Sequence, residues 1–352
     1  MNILGLDIGG ANIKASLIDQ GKLKNKYMQY YPIWTKDLSL LPDIIKEVST
    51  KVIQGQDIEA IAVTMTAELS DAFYTKREGI LKISKSLREA FYDMEDKIYF
   101  INIFGEFIKF NTVLKYPLQV AAANWVATSK YVGLFYKNCI LIDVGSTTTD
   151  VIPILNGKPV CLGKTDPDRL LSGELVYTGV LRSEIPSITH YVPYKNKNCR
   201  VSSEKFALSA DVHLVLGHIS EDEYTSDPAD GREKNKKDSL ARISRVICAD
   251  IEMLSKKEIM TIARYIYEQQ IAQIQVGLMQ VFNRLRSSYV VDFKNFLIII
   301  TGIGAEFLAR KAAKRYGFKK IINLNEILGE NGGIVAPSAA VALLLEQKLI
   351  KR

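Results

Sequence analysis

One unit occurs twice in this chain, and that repeat restricts the fold more than any other feature. Ile3 to Ile18 reads ILGLDIGGANIKASLI and Cys139 to Ile154 reads CILIDVGSTTTDVIPI, with Gln20-Gly21 and Asn156-Gly157 closing the two copies. Asp7 aligns with Asp143, Gly9 with Gly145 and Gly21 with Gly157, each pair 136 residues apart. In each copy an apolar run ends in aspartate, a polar turn containing glycine follows, and a second apolar run leads to a tight turn. Asn-Gly between extended apolar runs is the strongest short-range hairpin signal, so each copy predicts a β-hairpin. The period is too long for a solenoid. It predicts two similar domains facing each other, with both hairpin turns aimed into the cleft between them.

Such a turn directs backbone N–H groups and hydroxyls at one spot flanked by carboxylates. That arrangement suits a phosphate with its metal, because amides and hydroxyls bind phosphate oxygens while an aspartate holds a divalent cation directly or through water. Asp7, Asp143 and Asp150 are therefore candidate ligands for Mg²⁺ or another divalent cation. Gly9, Gly10, Asn12, Gly145, Ser146, Thr147, Thr148 and Thr149 are candidate phosphate or diphosphate donors. Lys14 falls opposite Asp150 in the alignment, so the copies differ in charge where chemistry would be decided. The plainer alternative is that Asp7 and Asp143 only cap hairpins.

The 352 residues suffice for two domains, each with its own core. Four cysteines, Cys139, Cys161, Cys199 and Cys248, lie far apart and form no C-x-x-C pair. This argues against a zinc site or disulfide framework and leads to the expectation of a reducing cytoplasm. No uninterrupted apolar run reaches the ~20 residues of a membrane span, and the N-terminus leads directly into a predicted strand, so neither a membrane partner nor a signal peptide is expected. A net charge of +7 admits an anionic partner. The basic residues are dispersed without interleaved aromatics, which favours a phosphorylated small molecule over nucleic acid.

In chain order, Lys26 to Tyr31 predicts a third strand and Leu38 to Gln54 a helix, from the spacing of Leu41, Ile44, Ile45, Val48 and Val52. Ile58 to Thr64 reads as a buried strand ending in a polar turn with Glu68 and Asp71, at the sheet edge where open α/β sheets bind ligands. Leu118 to Tyr131 predicts a helix beginning after Pro117 and carrying Asn124 and Trp125. Residues 160–250 read as less regular and hold Glu174, Tyr177 and Arg182. Ser220 to Ser239, with Arg232, reads as a loop or lid by composition. Lys257 to Arg286 is amphipathic and helical. Phe296 to Ile300 predicts a strand, and Gly302 and Gly304 open the next helix, a general anion-binding arrangement. The bland alternative for those glycines is close helix–strand packing.

With these pieces placed, the chain resembles the actin, sugar kinase and Hsp70 ATPase superfamily. LDIGGANIK (Leu6–Lys14) and IDVGSTTTD (Ile142–Asp150) look like its two phosphate loops, and TGIGAEFLA (Thr301–Ala309) looks like its nucleotide-contacting glycine motif. The resemblance implies an α/β fold of two ribonuclease-H-like domains around a central cleft. The first would span 1–135, with the helix 337–347 packing back onto it. The second would span 136–336, with an insertion at about 160–255. IDVGSTTTDVIPI is similar to the hydantoinase A and oxoprolinase branch. VTMTAELSD, AAANW, GELVYTGVLR and ADVHLVLG followed by DPADGR resemble one archaeal subfamily of methanofuran-biosynthesis proteins, formerly labelled as tetrahydromethanopterin-linked one-carbon transfer proteins.

That resemblance implies transfer of an aminomethylfuran-methyl group from its diphosphate to the phenol oxygen of γ-glutamyltyramine, with diphosphate leaving. A furfuryl cation is stabilised by the furan oxygen, so the protein would neutralise diphosphate, exclude water and deliver the phenol. Lys14 would add fixed positive charge and Glu68 or Asp71 would accept the phenol proton. Arg182 or Arg232 would hold the glutamyl carboxylate, with Asn124, Glu174 and Tyr177 as further substrate contacts. Two other classes share the same loops. One is an ATP-dependent small-molecule kinase or a hydantoinase- or oxoprolinase-like hydrolase; the other is a nucleotide-binding protein without catalysis.

Overall fold

Both copies of the repeated unit fold as hairpins, and both close through the same turn. Gln20 and Gly21 have φ of 49° and 73°, and Asn156 and Gly157 have 51° and 75°. Two successive left-handed residues make the hairpin turn whose twist matches the flanking strands. At the other end the correspondence holds bond by bond. Gly9 N–H donates to the Asn12 carbonyl at 3.0 Å, and Gly145 N–H donates to the Thr148 carbonyl at 2.9 Å.

The computed structural model describes residues 1–288 and 296–351. The strands are β1 (Asn2–Ile8), β2 (Asn12–Asp19), β3 (Lys22–Tyr30), β4 (Ala60–Met65), β5 (Ile98–Ile101), β6 (Phe107–Ile108), β7 (Cys139–Val144), β8 (Thr149–Leu155), β9 (Lys158–Pro159), β10 (Leu175–Val176), β11 (Tyr191–Tyr194), β12 (Lys197–Arg200), β13 (Leu297–Thr301) and β14 (Lys320–Asn323). The helices are α1 (Leu41–Ile53), α2 (Lys76–Ala90), α3 (Phe110–Lys115), α4 (Asn124–Phe135), α5 (Asp166–Ser172), α6 (Ile185–Ile188), α7 (Ser209–Leu216), α8 (Lys236–Arg245), α9 (Lys256–Ser288), α10 (Arg310–Tyr316), α11 (Asn325–Leu328) and α12 (Ala336–Ile350).

The chain divides into two compact units. The first comprises Met1–Leu141, Ile152–Asp168 and Asn323–Arg352; the second comprises Ile142–Val151 and Arg169–Ile322. The division does not fall at residue 135. The outer end of the second hairpin belongs with the first unit, where the Gly133 backbone at the end of α4 touches Gly157 so closely that a Cβ on either would overlap the other's carbonyl oxygen.

In the first unit the sheet order is β3-β2-β1-β4-β5-β6. β1 is antiparallel to β2 and parallel to β4, and β4 is parallel to β5. An antiparallel meander extended by parallel strands is the ribonuclease-H-like sheet. α12 packs across β1: a Cβ on Gly5 would overlap the Ser338 carbonyl oxygen, and the Ser16 and Ser338 hydroxyls meet at 2.7 Å. The stretch Gly332–Ile350 has the length and apolarity of a membrane-crossing helix, but it serves as a core element with two thirds of its residues buried.

In the second unit the order is β10-β8-β7-β13-β14, so β8-β7-β13-β14 repeats β2-β1-β4-β5. Three expectations need correction. Residues 160–250 are more regular than expected, holding α5 to α8 and the β11–β12 hairpin in elements too short to show periodicity. The stretch Ser220–Ser239 is a loop as far as Asn235, as expected, but it is not a free lid. Its end belongs to α8, and a buried network ties down the rest: Tyr224 Oη donates to Asp211 Oδ1 (3.1 Å), Arg242 Nε donates to the same oxygen (2.7 Å), and Arg242 and Arg245 both bind Asp230 (3.0 and 3.1 Å). In the first unit, Pro117–Val120 is only a 3-10 turn. Ala122 has φ of 45°, which breaks the chain direction, and α4 begins at Asn124 rather than at Leu118. The long helix expected from Lys257 is present as α9, with Ile259, Ile262, Ile266, Ile274, Leu278, Val281 and Leu285 buried.

Candidate active site

The pleat of the first sheet brings three polar side chains side by side. Asp7, near the end of β1, is the partner of Lys14 on antiparallel β2 and of Thr64 on parallel β4. Asp7 is 4% exposed, with its Oδ2 3.6 Å from the Lys14 ammonium. Burial raises its pKa and Lys14 opposes the rise. Asp7 Oδ1, Asn12 Oδ1 and Thr64 Oγ1 are all buried without a hydrogen-bond partner. Buried polar atoms in folded proteins are nearly always satisfied, so three orphaned oxygens at one turn mark a place for a ligand, an ion or ordered water. Gly9 is required there, since a Cβ would lie 2.8 Å from the Asn12 carbonyl oxygen, whereas the space beside Gly10 is open.

Glu68 follows β4 in a short 3-10 turn and is 1% exposed. α2 presses on it, because a Cβ at Gly79 would sit 2.7 Å from the Glu68 carbonyl oxygen. Neither carboxylate oxygen has a hydrogen-bond partner of full geometry. Burial pushes its pKa up to about 7; the amides of Glu68 and Ala122 and the charge of Lys76 oppose the rise, and Asp166 adds to it. Lys76, at the start of α2, is ion-paired with Asp166, at the start of α5, at 2.6 Å. Asp71 is exposed. Asn124 is half-buried as the first residue of α4, next to buried Trp125, whose ring centre lies 6.0 Å from the Lys164 ammonium.

The second unit carries the matching turn with different partners. Gly145 and Ser146 carbonyls accept from the amides of Val180, Leu181 and Arg182, so the segment after β10 is stitched along the turn. Gly179 makes this possible, since a Cβ there would lie 2.5 Å from the Thr147 carbonyl carbon. Arg182 Nη1 donates to Thr147 Oγ1 at 3.2 Å. Ser146, Thr147 and Thr148 are half-buried around the turn. Asp143 lies beside Gly302, where a Cβ would come within 2.5 Å of Asp143 Oδ1 and where φ is 85°. Gly304 N–H donates to the Val144 carbonyl at 3.0 Å, as Thr66 N–H donates to the Ile8 carbonyl at 2.9 Å. Both glycines thus make the close packing of β13's end on β7, and Gly304 is the first-copy Thr66 contact repeated.

Three candidate residues sit differently from expectation. Thr149 is fully buried with its hydroxyl donating to the Thr178 carbonyl at 2.8 Å, so it is turned into the fold. Asp150 is held by buried Arg169 at 2.7 Å, a guanidinium standing where a metal was expected. Glu174 is fully buried and ion-paired with Arg284 of α9, a partner that fits a packing role in place of substrate contact. Tyr177 is 62% exposed, as a residue open to contact from outside must be. Arg232 is exposed, 3.9 Å from Asp230. Sequence reasoning missed Lys76, Asp166 and Arg169. Lys76 and Asp166 are 90 residues apart, and no local pattern joins them.

Among the described residues no three carboxylate, imidazole or thiol side chains converge as a ready-made metal cage. The orphaned oxygens of Asp7, Asn12 and Thr64 do fit a hard cation held by one carboxylate together with neutral and ligand oxygens, the manner in which Mg²⁺ is bound.

The sequence matches the hydantoinase/oxoprolinase family over residues 59–348. It is 37% identical over 350 residues to the (4-{4-[2-(γ-L-glutamylamino)ethyl]phenoxymethyl}furan-2-yl)methanamine synthase of Methanocaldococcus jannaschii, covering 99% of both chains. It is 38% identical over 215 residues to the synthase of the same name from Methanococcus vannielii, covering 60% of this chain and 93% of that one. Among solved structures, the nucleotide-free acetone carboxylase superposes with a TM-score of 0.61 at 12% identity, over 97% of this chain and 70% of that one, and shares its fold. A match that takes in most of the sequence, joined to a relative alike from end to end, means that the chain belongs to the hydantoinase/oxoprolinase family.

Proposed function

We propose that this chain is a transferase of methanofuran biosynthesis that moves an aminomethylfuran-methyl group from its diphosphate to the phenol oxygen of γ-glutamyltyramine. The observation that carries the reading is the 37% identity to the Methanocaldococcus jannaschii synthase across 99% of both chains. The carbon–oxygen bond to diphosphate breaks, the bond from the same carbon to the phenol oxygen forms, and the phenol proton passes to a base. Diphosphate leaves and no nucleotide is consumed.

The geometry of the first unit supports this chemistry. Glu68 is unpaired and buried, with a pKa of about 7, and so can accept a phenol proton near neutral pH. Asp7, Asn12 and Thr64 would hold Mg²⁺, which when bound would neutralise charge on a departing diphosphate. Lys14 adds a fixed positive charge beside Asp7. The turn of the second unit, with Arg182 beside Thr147, suits an anionic substrate group, either diphosphate or the glutamyl carboxylate. Four free cysteines support a reducing compartment such as the cytoplasm.

The test is incubation of purified protein and Mg²⁺ with γ-glutamyltyramine and the aminomethylfuran methyl diphosphate, with and without ATP, followed by mass spectrometry. Coupled ether and released diphosphate without ATP are expected. Absence of the ether, with ADP formed in the presence of another acceptor, would return the chain to kinase or hydrolase chemistry.

A further inference from the structure

We infer that Asp166 is a positioning residue: it holds the Lys76 ammonium away from Glu68 and so leaves the Glu68 carboxylate unpaired to receive the phenol proton. The inference rests on the reading of Glu68 as the base. Lys76 is the first residue of α2, three positions before Gly79, where the helix backbone abuts Glu68. The first turn of α2 therefore delivers a cation to the neighbourhood of a buried carboxylate with two unpartnered oxygens. An ammonium on a four-carbon stem would close on such an acceptor and pin it as an anion. It does not do so because Asp166, arriving from the start of α5, takes it at 2.6 Å. The charged side chains bearing on Glu68 are thus Lys76 from α2 and Asp166 from α5. Its own turn and the bend at Ala122 contribute backbone amides, and Asp71 on the same loop is exposed.

The two partners of one ion pair then act on Glu68 in opposite directions. Removing Asp166 releases Lys76 toward Glu68, favours the anion and makes a weaker base. Removing Lys76 leaves Asp166 as a bare neighbouring carboxylate and favours the protonated form. A merely structural ion pair would give loss of the same kind from either side.

The experiment measures kcat/KM against pH for the wild type, Asp166→Asn, Lys76→Gln and Glu68→Gln. It is paired with a ¹³C NMR titration of the Glu68 carboxyl, assigned by its disappearance in Glu68→Gln. The acid limb near pH 7 is expected to move down in Asp166→Asn and up in Lys76→Gln, with the NMR titration moving in step. If both variants leave the limb and the titration in place, or move them the same way, the inference falls while the base reading stands. If Glu68→Gln keeps the wild-type profile, the base reading itself fails and the inference with it. The NMR titration reads the effect in folded protein even where a variant no longer turns over.

Discussion

Replacing Glu68 by glutamine should change how stability depends on pH, by an amount the burial of this residue sets. Glu68 is 1% exposed, and its pKa rises from an ordinary 4.5 to about 7. The folded state therefore keeps a proton that the unfolded chain releases between those values. Where the folded state binds more protons, stability falls as pH rises. The loss begins near pH 4.5 and is complete just above pH 7. A rise of about 2.5 in pKa, at about 1.4 kcal/mol for each, makes the full cost about 3.5 kcal/mol.

Glutamine cannot ionise, so Glu68→Gln should be free of this loss. Its buried amide carries a penalty of its own, about 1–3 kcal/mol, but that penalty does not vary with pH. The quantity to measure is thus the difference in unfolding free energy between variant and wild type, by urea denaturation at pH 5, 6, 7 and 8. The difference should move by about 2.5 kcal/mol in favour of the variant across that range, with other buried carboxylates such as Asp7 and Asp211 cancelling between the two proteins. A constant offset from pH 5 to 8 would show that Glu68 ionises as easily in the fold as in water, and would remove the ground for making it the base.

The remaining predictions concern the two turns. Asp7→Asn should weaken divalent-cation binding at least about tenfold, followed with Mn²⁺ in place of Mg²⁺, and Asp150→Asn should leave that affinity nearly unchanged. Asp150→Asn should instead lower stability by about 3 kcal/mol, since it removes the carboxylate paired with the buried Arg169 guanidinium; the double variant with Arg169→Met should regain part of the loss in chemical denaturation. Gly302→Ala should cost about 2 kcal/mol or more in the same assay, because the added Cβ overlaps the Val144 carbonyl oxygen and the backbone has a φ of 85°. Arg182→Ala should raise KM for an anionic substrate about tenfold or more with fold stability intact, read from steady-state kinetics and a melting curve.

What the sequence made legible was local. Hairpins, closing turns and the alignment of Asp7 with Asp143 lie within short stretches whose pattern is set by strand pairing and by glycine. The carrier segments of β4 and β13 were likewise readable as apolar runs ending in polar turns. The partners were not readable. Asp150 looked like a metal ligand because the repeat places it beside the turn, but what neutralises it is Arg169 from α5, brought in by the tertiary fold. Thr149 looked like a donor because it ends a run of hydroxyl residues. It opens β8, a strand buried on both faces, and its hydroxyl is taken by the Thr178 carbonyl. The alanine-rich frame around Asn124 favours helix throughout, yet a left-handed Ala122 interrupts it, and that break is what puts Asn124 at a helix start. Local propensity gave way to tertiary packing.

The two copies share a backbone but not a charge plan. In the first, Asp7 has a lysine at 3.6 Å, too long for a hydrogen bond, and its Oδ1 stays unpartnered among other orphaned oxygens. In the second, the residue that aligns with Lys14 is Asp150, and a buried guanidinium binds it at 2.7 Å. A charge-assisted bond of that length in a dry setting already supplies the positive partner that a metal would offer. Glu174, whose carbonyl also receives Arg169, is itself tied to Arg284, so Arg169 and Arg284 are taken up by internal carboxylates and carbonyls. Duplication thus kept the turn, where backbone amides are fixed by strand geometry. Unpartnered oxygens remain on Asp7, Asn12 and Thr64 of the first copy, whereas in the second Arg182 donates to Thr147 of the turn.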